Sequence, residues 1–95
     1  MRRGSPFCSD YELRNQIRRA GISVMLNIAE GPARRTDREF CQYLFIASGS
    51  LAEIKSALYI SLDQGYLTEK DVDSPYQQAD RISRMLSRLI TYLRR

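Results

Sequence analysis

The chain of 95 residues contains no histidine and no tryptophan, and it has only two cysteines. Without histidine, C-x-x-C pairs or a glycine-rich phosphate loop, the usual metal sites, nucleophilic triads and nucleotide loops cannot be assembled. Cys8 and Cys41 are far apart in the sequence, so no disulfide framework is indicated and a reducing cytoplasm is the expected location. We therefore expect a protein that is not an enzyme and has no cofactor and no metal.

Long apolar runs are also absent. The longest reach only a few residues, far short of the ~20 that a membrane span needs. The basic N-terminus lacks the apolar segment of a secretory signal, so we expect no membrane partner. Hydrophobic residues make up 43% and charged residues 27% of the chain, as in soluble globular proteins, and the length suits a single domain over 1–95.

The net charge of +4 is unevenly distributed. Residues 1–38 carry +4, residues 39–80 carry −5, and residues 81–95 carry +5. Thirteen of the fifteen basic residues are arginines, whose planar guanidinium suits bidentate contact with phosphate or carboxylate groups. The charges therefore form blocks that a folded protein could present separately.

Apolar residues recur at spacings of three and four, which predicts three amphipathic helices at about 10–30, 37–64 and 75–93. We take Ser9 as the N-cap of the first helix, with Glu12 at N3. Its apolar stripe consists of Leu13, Ile17, Ala20, Val24 and Ile28. Further apolar residues are expected to widen the same face: Ile22, Met25, Leu26 and Ala29. We expect Gly21 to permit close approach of a neighbouring helix.

The second helix has the strongest pattern. Its apolar seam alternates steps of four and three: Phe40, Leu44, Ala47, Leu51, Ile54 and Leu58. Thr36 and Glu39 form a capping box at its start, and Gly65 is placed to end it. The small residues at 47–50 suggest tight helix contact. Apolar residues also lie off the seam, which predicts a central helix that is covered on more than one side.

Two junctions separate the helices. Gly31 before Pro32 predicts a helix end with glycine in the left-handed conformation. The third helix has two possible starts, Thr68 with Asp71 or Ser74 followed by Pro75 at N1, and we favour the second. Its stripe consists of Ala79, Ile82, Leu86, Leu89 and Leu93. The predicted fold is all-α, an antiparallel up-and-down bundle with three helices.

Several segments resemble the small four-helix-bundle proteins encoded in intervening sequences of bacterial 23S ribosomal RNA genes. The resemblance covers about residues 7–93 and is most specific in Asn27-Ile-Ala-Glu-Gly31 combined with Gly49-Ser-Leu-Ala-Glu53 and Gly65-Tyr-Leu67. It implies a four-helix-bundle fold and cyclic, often pentameric, assembly, and relatives include accessory proteins of diversity-generating retroelements. Members usually begin with one more amphipathic helix, so this chain starts where that helix should have ended.

If the helices run up, down and up, the turn at 31–36 and the C-terminus share one basic pole. Its candidate nucleic-acid-binding residues are Arg34, Arg35, Arg38, Arg88, Arg94 and Arg95. We expect no aromatic residues to interleave this cluster at the pole, and therefore phosphate contact without base readout or stacking. The predicted function is a non-enzymatic module that binds RNA or DNA. The alternative is a protein–protein scaffold whose charged ends are merely solvated.

The second apolar side of the central helix predicts association with further copies of the chain. The candidate interface residues are Tyr43, Phe45, Ile46, Tyr59, Ile60 and Tyr92. We expect a homo-oligomer, and the family resemblance favours a cyclic one, with a pentamer as the candidate.

Overall fold

The computed structural model describes residues 5–95, with side chains from residue 10 onward. In that range the chain forms helices α1 (Ser5–Glu30), α2 (Asp37–Asp63) and α3 (Glu69–Leu93), with a 3₁₀ turn at Gly31–Ala33 and no strand. The all-α bundle is confirmed. Because α1 begins at Ser5, Ser9 lies inside the helix, and its assignment as N-cap was wrong. Residues 1–4 and the side chain of Cys8 lie outside the described part.

The central helix α2 packs between the other two, as its double-sided apolar pattern predicts. Its seam residues Leu44, Ala47 and Leu51 are at most 2% exposed. The rest of the core cluster comes from all three helices: Val24, Cys41, Ala79, Leu86 and Ile90, with Phe40, Ile54, Ile82, Leu89 and Leu93 packed against it. The predicted stripes of α2 and α3 therefore do face the core.

The backbones of the outer helices α1 and α3 stay apart. No Cα atom of one lies within 8 Å of a Cα atom of the other among the described residues. The molecule measures 51 × 20 × 13 Å. Three helices at the corners of a square with neighbouring axes ~10 Å apart would have a cross-section of about 19 × 12 Å. The bundle therefore occupies three corners of a four-helix square, and the described residues leave the fourth corner open.

Both ends of α2 are fixed by the residues that the sequence indicates. The hydroxyl of Thr36 accepts a hydrogen bond from the Glu39 backbone N–H at 3.1 Å, so the N-cap is confirmed. The Glu39 carboxylate accepts from the Arg35 N–H at 3.2 Å and not from that of Thr36, so the predicted capping box is only half formed. At the other end Gly65 has a φ of +80°. The N–H groups of Gly65 and Tyr66 donate to the carbonyl oxygens of Leu62 and Ser61, which is the bonding pattern of a Schellman motif.

Helix α3 begins six residues earlier than predicted, and the choice of Ser74-Pro75 as its start was wrong. Thr68 and Asp71 exchange both bonds of a capping box, at 3.0 and 3.2 Å. Pro75 then lies inside the helix, where it cannot donate to the Asp71 carbonyl oxygen. Asp71 and Pro75 are both exposed, so water can satisfy that carbonyl and the helix tolerates the proline.

The apolar residues expected to widen the core face of α1 do not lie on it. Ile22, Met25 and Leu26 are 45%, 68% and 58% exposed. At 100° per residue, Ile22 and Leu26 lie about 160° from the buried Val24, on the far side of the helix. Ala20 and Val24 are buried as predicted, but Ile28 is exposed at the edge of the stripe. Helix α1 thus carries a second apolar surface that points away from α2.

The structure does not support the roles predicted for three glycines, Gly21, Gly31 and Gly49. Gly31 has no positive φ, since Gly65 is the one glycine with that conformation among the described residues. Gly31 is instead buried against the ring of Phe40. No neighbour comes within 4 Å of a Cβ built on Gly21 or Gly49, so neither allows close helix approach. Within the small-residue patch, Ala47 and Ser50 are the buried members.

Candidate nucleic-acid interface

A shallow open groove runs along α3 towards the C-terminus, and α2 forms its other wall except beside Arg88, where only α3 lines it. It consists of three adjoining cavities with volumes of about 500, 520 and 410 Å³. We call it the basic furrow, and its main polar lining is Arg38, Gln42, Ser48, Ser83, Arg84, Ser87, Arg88, Thr91 and Arg94. Guanidinium and hydroxyl groups are the donors that bind phosphate oxygens. The lining can therefore hold a polyanion.

The antiparallel course of α2 and α3 creates this furrow by bringing distant arginines together. Arg38, in the first turn of α2, lines the same cavity as Arg94 at the end of α3. Arg88 and Arg84 line the next part, about two turns and about three turns below Arg94. Arg38 and Arg94 thus meet at one pole as predicted, whereas Arg34 and Arg35 of the preceding turn do not line this cavity.

The other predicted arginines have different surroundings. Arg34 is half-buried, with its guanidinium 5.1 Å from the centre of the Tyr43 ring, its Nη1 3.3 Å from the Tyr43 hydroxyl and its Nη2 3.6 Å from Glu30. Arg95 lies over the Tyr92 ring at 4.4 Å. Arg35 is exposed in the turn. The structure therefore brings Arg38, Arg88 and Arg94 into the furrow, and holds Arg34 within the turn.

An acidic group limits the furrow at its lower end. Asp80 accepts a hydrogen bond from Lys55 at 3.2 Å and pairs with Arg84. The hydrogen bond from Lys55 lowers the pKa of Asp80 below its ordinary value, and the charge of Arg84 adds to this effect. Asp80 is therefore ionised at neutral pH, and it competes with any bound phosphate for the Arg84 guanidinium.

Two aromatic rings lie among the arginines, contrary to the sequence-based expectation. Phe45 lines both of the larger cavities, together with Arg38 and Arg94 in one and with Arg84 in the other. Tyr92 lies under Arg95. The prediction failed for Phe45 because that residue comes from α2, about fifty positions away from the C-terminal arginines. Only the packing of the two helices brings them together.

The hydroxyls of the furrow were also missed. Ser83, Ser87 and Thr91 recur every four residues along one side of α3, and this spacing is a signal that the sequence contains. The Thr91 hydroxyl donates its one proton to the Ser87 carbonyl oxygen at 3.0 Å, so Ser83 and Ser87 are the hydroxyls left to donate to a phosphate. The row lies beside Arg84 and Arg88, so phosphate donors of both kinds line one face.

The candidate oligomer interface divides into separate regions. Ile46, Tyr59 and Ile60 are exposed on α2, and Tyr92 is exposed on α3. Tyr59 makes an edge-on contact with Tyr76, with ring centres 5.6 Å apart. Tyr43 is half-buried and its hydroxyl accepts a hydrogen bond from Arg34, whereas Phe45 lines the furrow. The exposed residues of α1 add an apolar surface that the sequence analysis assigned to the core.

Neither a metal site nor a membrane-spanning helix is found in the residues from 10 onward. These residues contain no group of three or more side chains among His, Cys, Asp and Glu that could bind a metal ion. None of the helices there is long and apolar enough to cross a bilayer. The one described cysteine, Cys41, is buried and free.

Comparison with known proteins gives one match. The sequence model of the family described as "23S rRNA-intervening sequence protein" matches residues 1–88, which is nearly the whole chain. No curated protein and no solved structure matches the chain.

Proposed function

The chain belongs to the 23S rRNA-intervening sequence protein family, and from that premise we propose that it is a non-enzymatic helical module that binds RNA or DNA. Phosphate contacts in the basic furrow would provide the affinity, and the cytoplasm would be the place of action. The observation that supports this function best is the furrow itself, where four arginines from two helices line one open groove.

The distribution of charge supports a polyanion over a small ligand. The net charge is +5 in residues 81–95 but −5 in residues 39–80. A helix of about 25 residues is ~38 Å long, several times the screening length of ~8 Å at physiological salt. The field at the C-terminal end of α3 is therefore not cancelled by the acids at its start. A nucleic acid that approaches this end meets an attractive potential.

Binding of labelled oligonucleotides, followed by fluorescence anisotropy over a range of salt concentrations, tests the proposal. We expect the affinity of the wild type to fall steeply with salt, because bound arginines release counterions from phosphates. Replacing Arg88 and Arg94 together by Glu should weaken binding to unrelated sequences about equally and flatten the salt slope. The matched control replaces Arg18 and Arg19, exposed on α1, by Glu; it changes the net charge equally and should bind better than the furrow variant.

A variant that is expected to increase the affinity gives a second test. Asp80→Asn removes the carboxylate that pairs with Arg84 and Lys55, so it should increase the affinity for nucleic acid. The proposal would be contradicted if the wild type binds no nucleic acid at low salt. It would equally be contradicted if the furrow and control variants lose the same affinity while both keep their helical circular dichroism.

The second function class is a protein–protein scaffold, and exposed apolar surface favours association of some kind. Ile22, Met25 and Leu26 on α1 and Ile46 and Ile60 on α2 are all exposed. Apolar patches of this kind mark contact surfaces on globular proteins. We propose that copies of the chain associate through them as a homo-oligomer, in a closed ring such as the pentamer that the family resemblance implies. A scaffold without nucleic-acid function would keep this association and show no salt-dependent binding.

A further inference from the structure

The ring of Phe45 gives the basic furrow a property that phosphate binding alone does not require. Phe45 is 50% exposed and lies where the two larger cavities meet. Its neighbours in these cavities include three arginines, Arg38, Arg84 and Arg94. An aromatic ring exposed to water is favourably covered by another flat apolar group. Nucleobases are such groups, and they reach the ring with their phosphates close to the arginines.

We propose that the basic furrow binds single-stranded nucleic acid, with a base stacked on Phe45 while the arginines and hydroxyls of α3 hold the neighbouring phosphates. This inference rests on the proposed function and specifies which form of nucleic acid the furrow takes. Alternation of aromatic rings with cations along a groove is the general arrangement by which proteins bind single strands without reading their sequence.

The dimensions of the furrow agree with a single strand. From Arg84 to Arg94 the axis of α3 rises ~15 Å, the length of about four stacked nucleotides at 3.4 Å each. In a duplex the bases are stacked on each other and cannot cover Phe45 without being extruded.

Polar groups around the ring supply phosphate contacts on both sides of a stacked base. On one side are Arg38 and Gln42 of α2 with Arg94 of α3. On the other side are Ser83, Ser87 and Arg84. Since these groups contact phosphates and the ring contacts any base, the site should accept single strands of different sequence.

The variant that tests this inference is Phe45→Leu, which keeps an apolar side chain and the charge but removes the flat ring. Anisotropy is measured with a short labelled oligothymidylate, an oligouridylate and a duplex of matched length, and with inorganic polyphosphate as competitor. We expect the wild type to prefer both single strands over the duplex. Phe45→Leu should weaken single-strand binding about 5- to 100-fold and leave the salt slope, duplex binding and competition by polyphosphate unchanged.

The matched control is Tyr11→Leu, which removes an exposed aromatic ring on α1 and should bind both single strands as the wild type does. The inference is overturned if the wild type binds duplex as tightly as single strands, or if Phe45→Leu binds single strands as well as Tyr11→Leu does. In either of those results nucleic acid is still bound through the arginines, so the proposed function stands. Failure of every nucleic acid to bind would remove the proposed function as well.

Discussion

The phenyl ring of Phe40 occupies the space that a side chain at Gly31 would need. A Cβ atom on Gly31 would lie 2.6 Å from Cδ1 and 2.8 Å from Cε1 of that ring. Both distances are far below van der Waals contact, and Phe40 packs against the core. The glycine therefore allows the turn after α1 to close on the first turn of α2.

We expect Gly31→Ala to lower the free energy of unfolding by about 1–3 kcal/mol, because the ring of Phe40 must move within a packed region. Thermal unfolding followed by circular dichroism measures this. Gly49→Ala is the control, since open space surrounds that helical position and alanine should stabilise the helix by up to ~1 kcal/mol. Equal stability of the two variants would contradict the role assigned to the ring.

The second prediction concerns the end of α2. Gly65 has a φ of +80° but nothing lies within 4 Å of its built Cβ, so a substitution there acts through backbone strain alone. Gly65→Ala should cost about 1–2 kcal/mol of stability. Gly65→Asn should cost less, because asparagine tolerates the left-handed conformation better. If alanine proves as stable as asparagine, strain at this position is not what ends the helix.

A third prediction concerns the polar contact between α1 and α2. Ser50, which is buried, donates to the Ser23 hydroxyl at 2.8 Å, and Asn27 donates to the Ser23 carbonyl oxygen at 2.7 Å. Ser50→Ala should lower stability by about 1 kcal/mol, since it leaves the Ser23 hydroxyl without this partner. The double variant Ser23→Ala with Ser50→Ala should lose less than the sum of the single changes. Strict additivity in urea unfolding would show that the two hydroxyls do not interact.

The capping box of α3 predicts a dependence on pH. The backbone N–H and the hydroxyl of Thr68 hold the pKa of Asp71 below its ordinary value of 3.8. A carboxyl whose pKa is lowered by folding stabilises the protein above its unfolded pKa, and this contribution disappears as the pH falls through the folded pKa. The melting temperature should therefore decrease as the pH is lowered below about 4, and Asp71→Asn should reduce that decrease. An unchanged acid profile in the variant would remove Asp71 as a cause.

The fifth prediction concerns association. Analytical ultracentrifugation at low micromolar concentration should show a species larger than the 11.0 kDa chain, with a melting temperature that decreases on dilution. Ile60→Ser removes an exposed apolar side chain of α2 and should reduce the mass without loss of helicity. Gln42→Ser, at an exposed polar position of the same helix, is the control. A well-folded monomer of the wild type that binds no hydrophobic dye would contradict the prediction.

Local signals in the sequence identify much of this fold. The N-cap at Thr36 and the helix end at Gly65 depend on residues within one turn, so their chemistry could be recognised directly. The need for glycine at position 31 could not be recognised in the same way, because it arises from the ring of Phe40 in the next helix. At Pro75 a favourable local start was outweighed by the capping box at Thr68.

The candidate site was less accessible to sequence reasoning. The arginines at the basic pole follow from the up-and-down order of the helices. The furrow also depends on the side of α2 against which α3 packs, and the apolar pattern of α2 is compatible with packing on more than one side. For this reason the position of Phe45 beside Arg94 was not predicted, while its assignment to a subunit interface stays a prediction.

The separation of α1 from α3 has a consequence for how the molecule opens. Each outer helix has its backbone neighbours on α2, so either one can detach while the other keeps its contacts. Local openings of this kind have free energies below that of global unfolding. Amide hydrogens in the middle of α2, around Leu44 and Leu51, become accessible only after both outer helices have left. These amides should therefore exchange most slowly. The protection factors should follow the pattern of two helical hairpins, α1 with α2 and α2 with α3, that share α2.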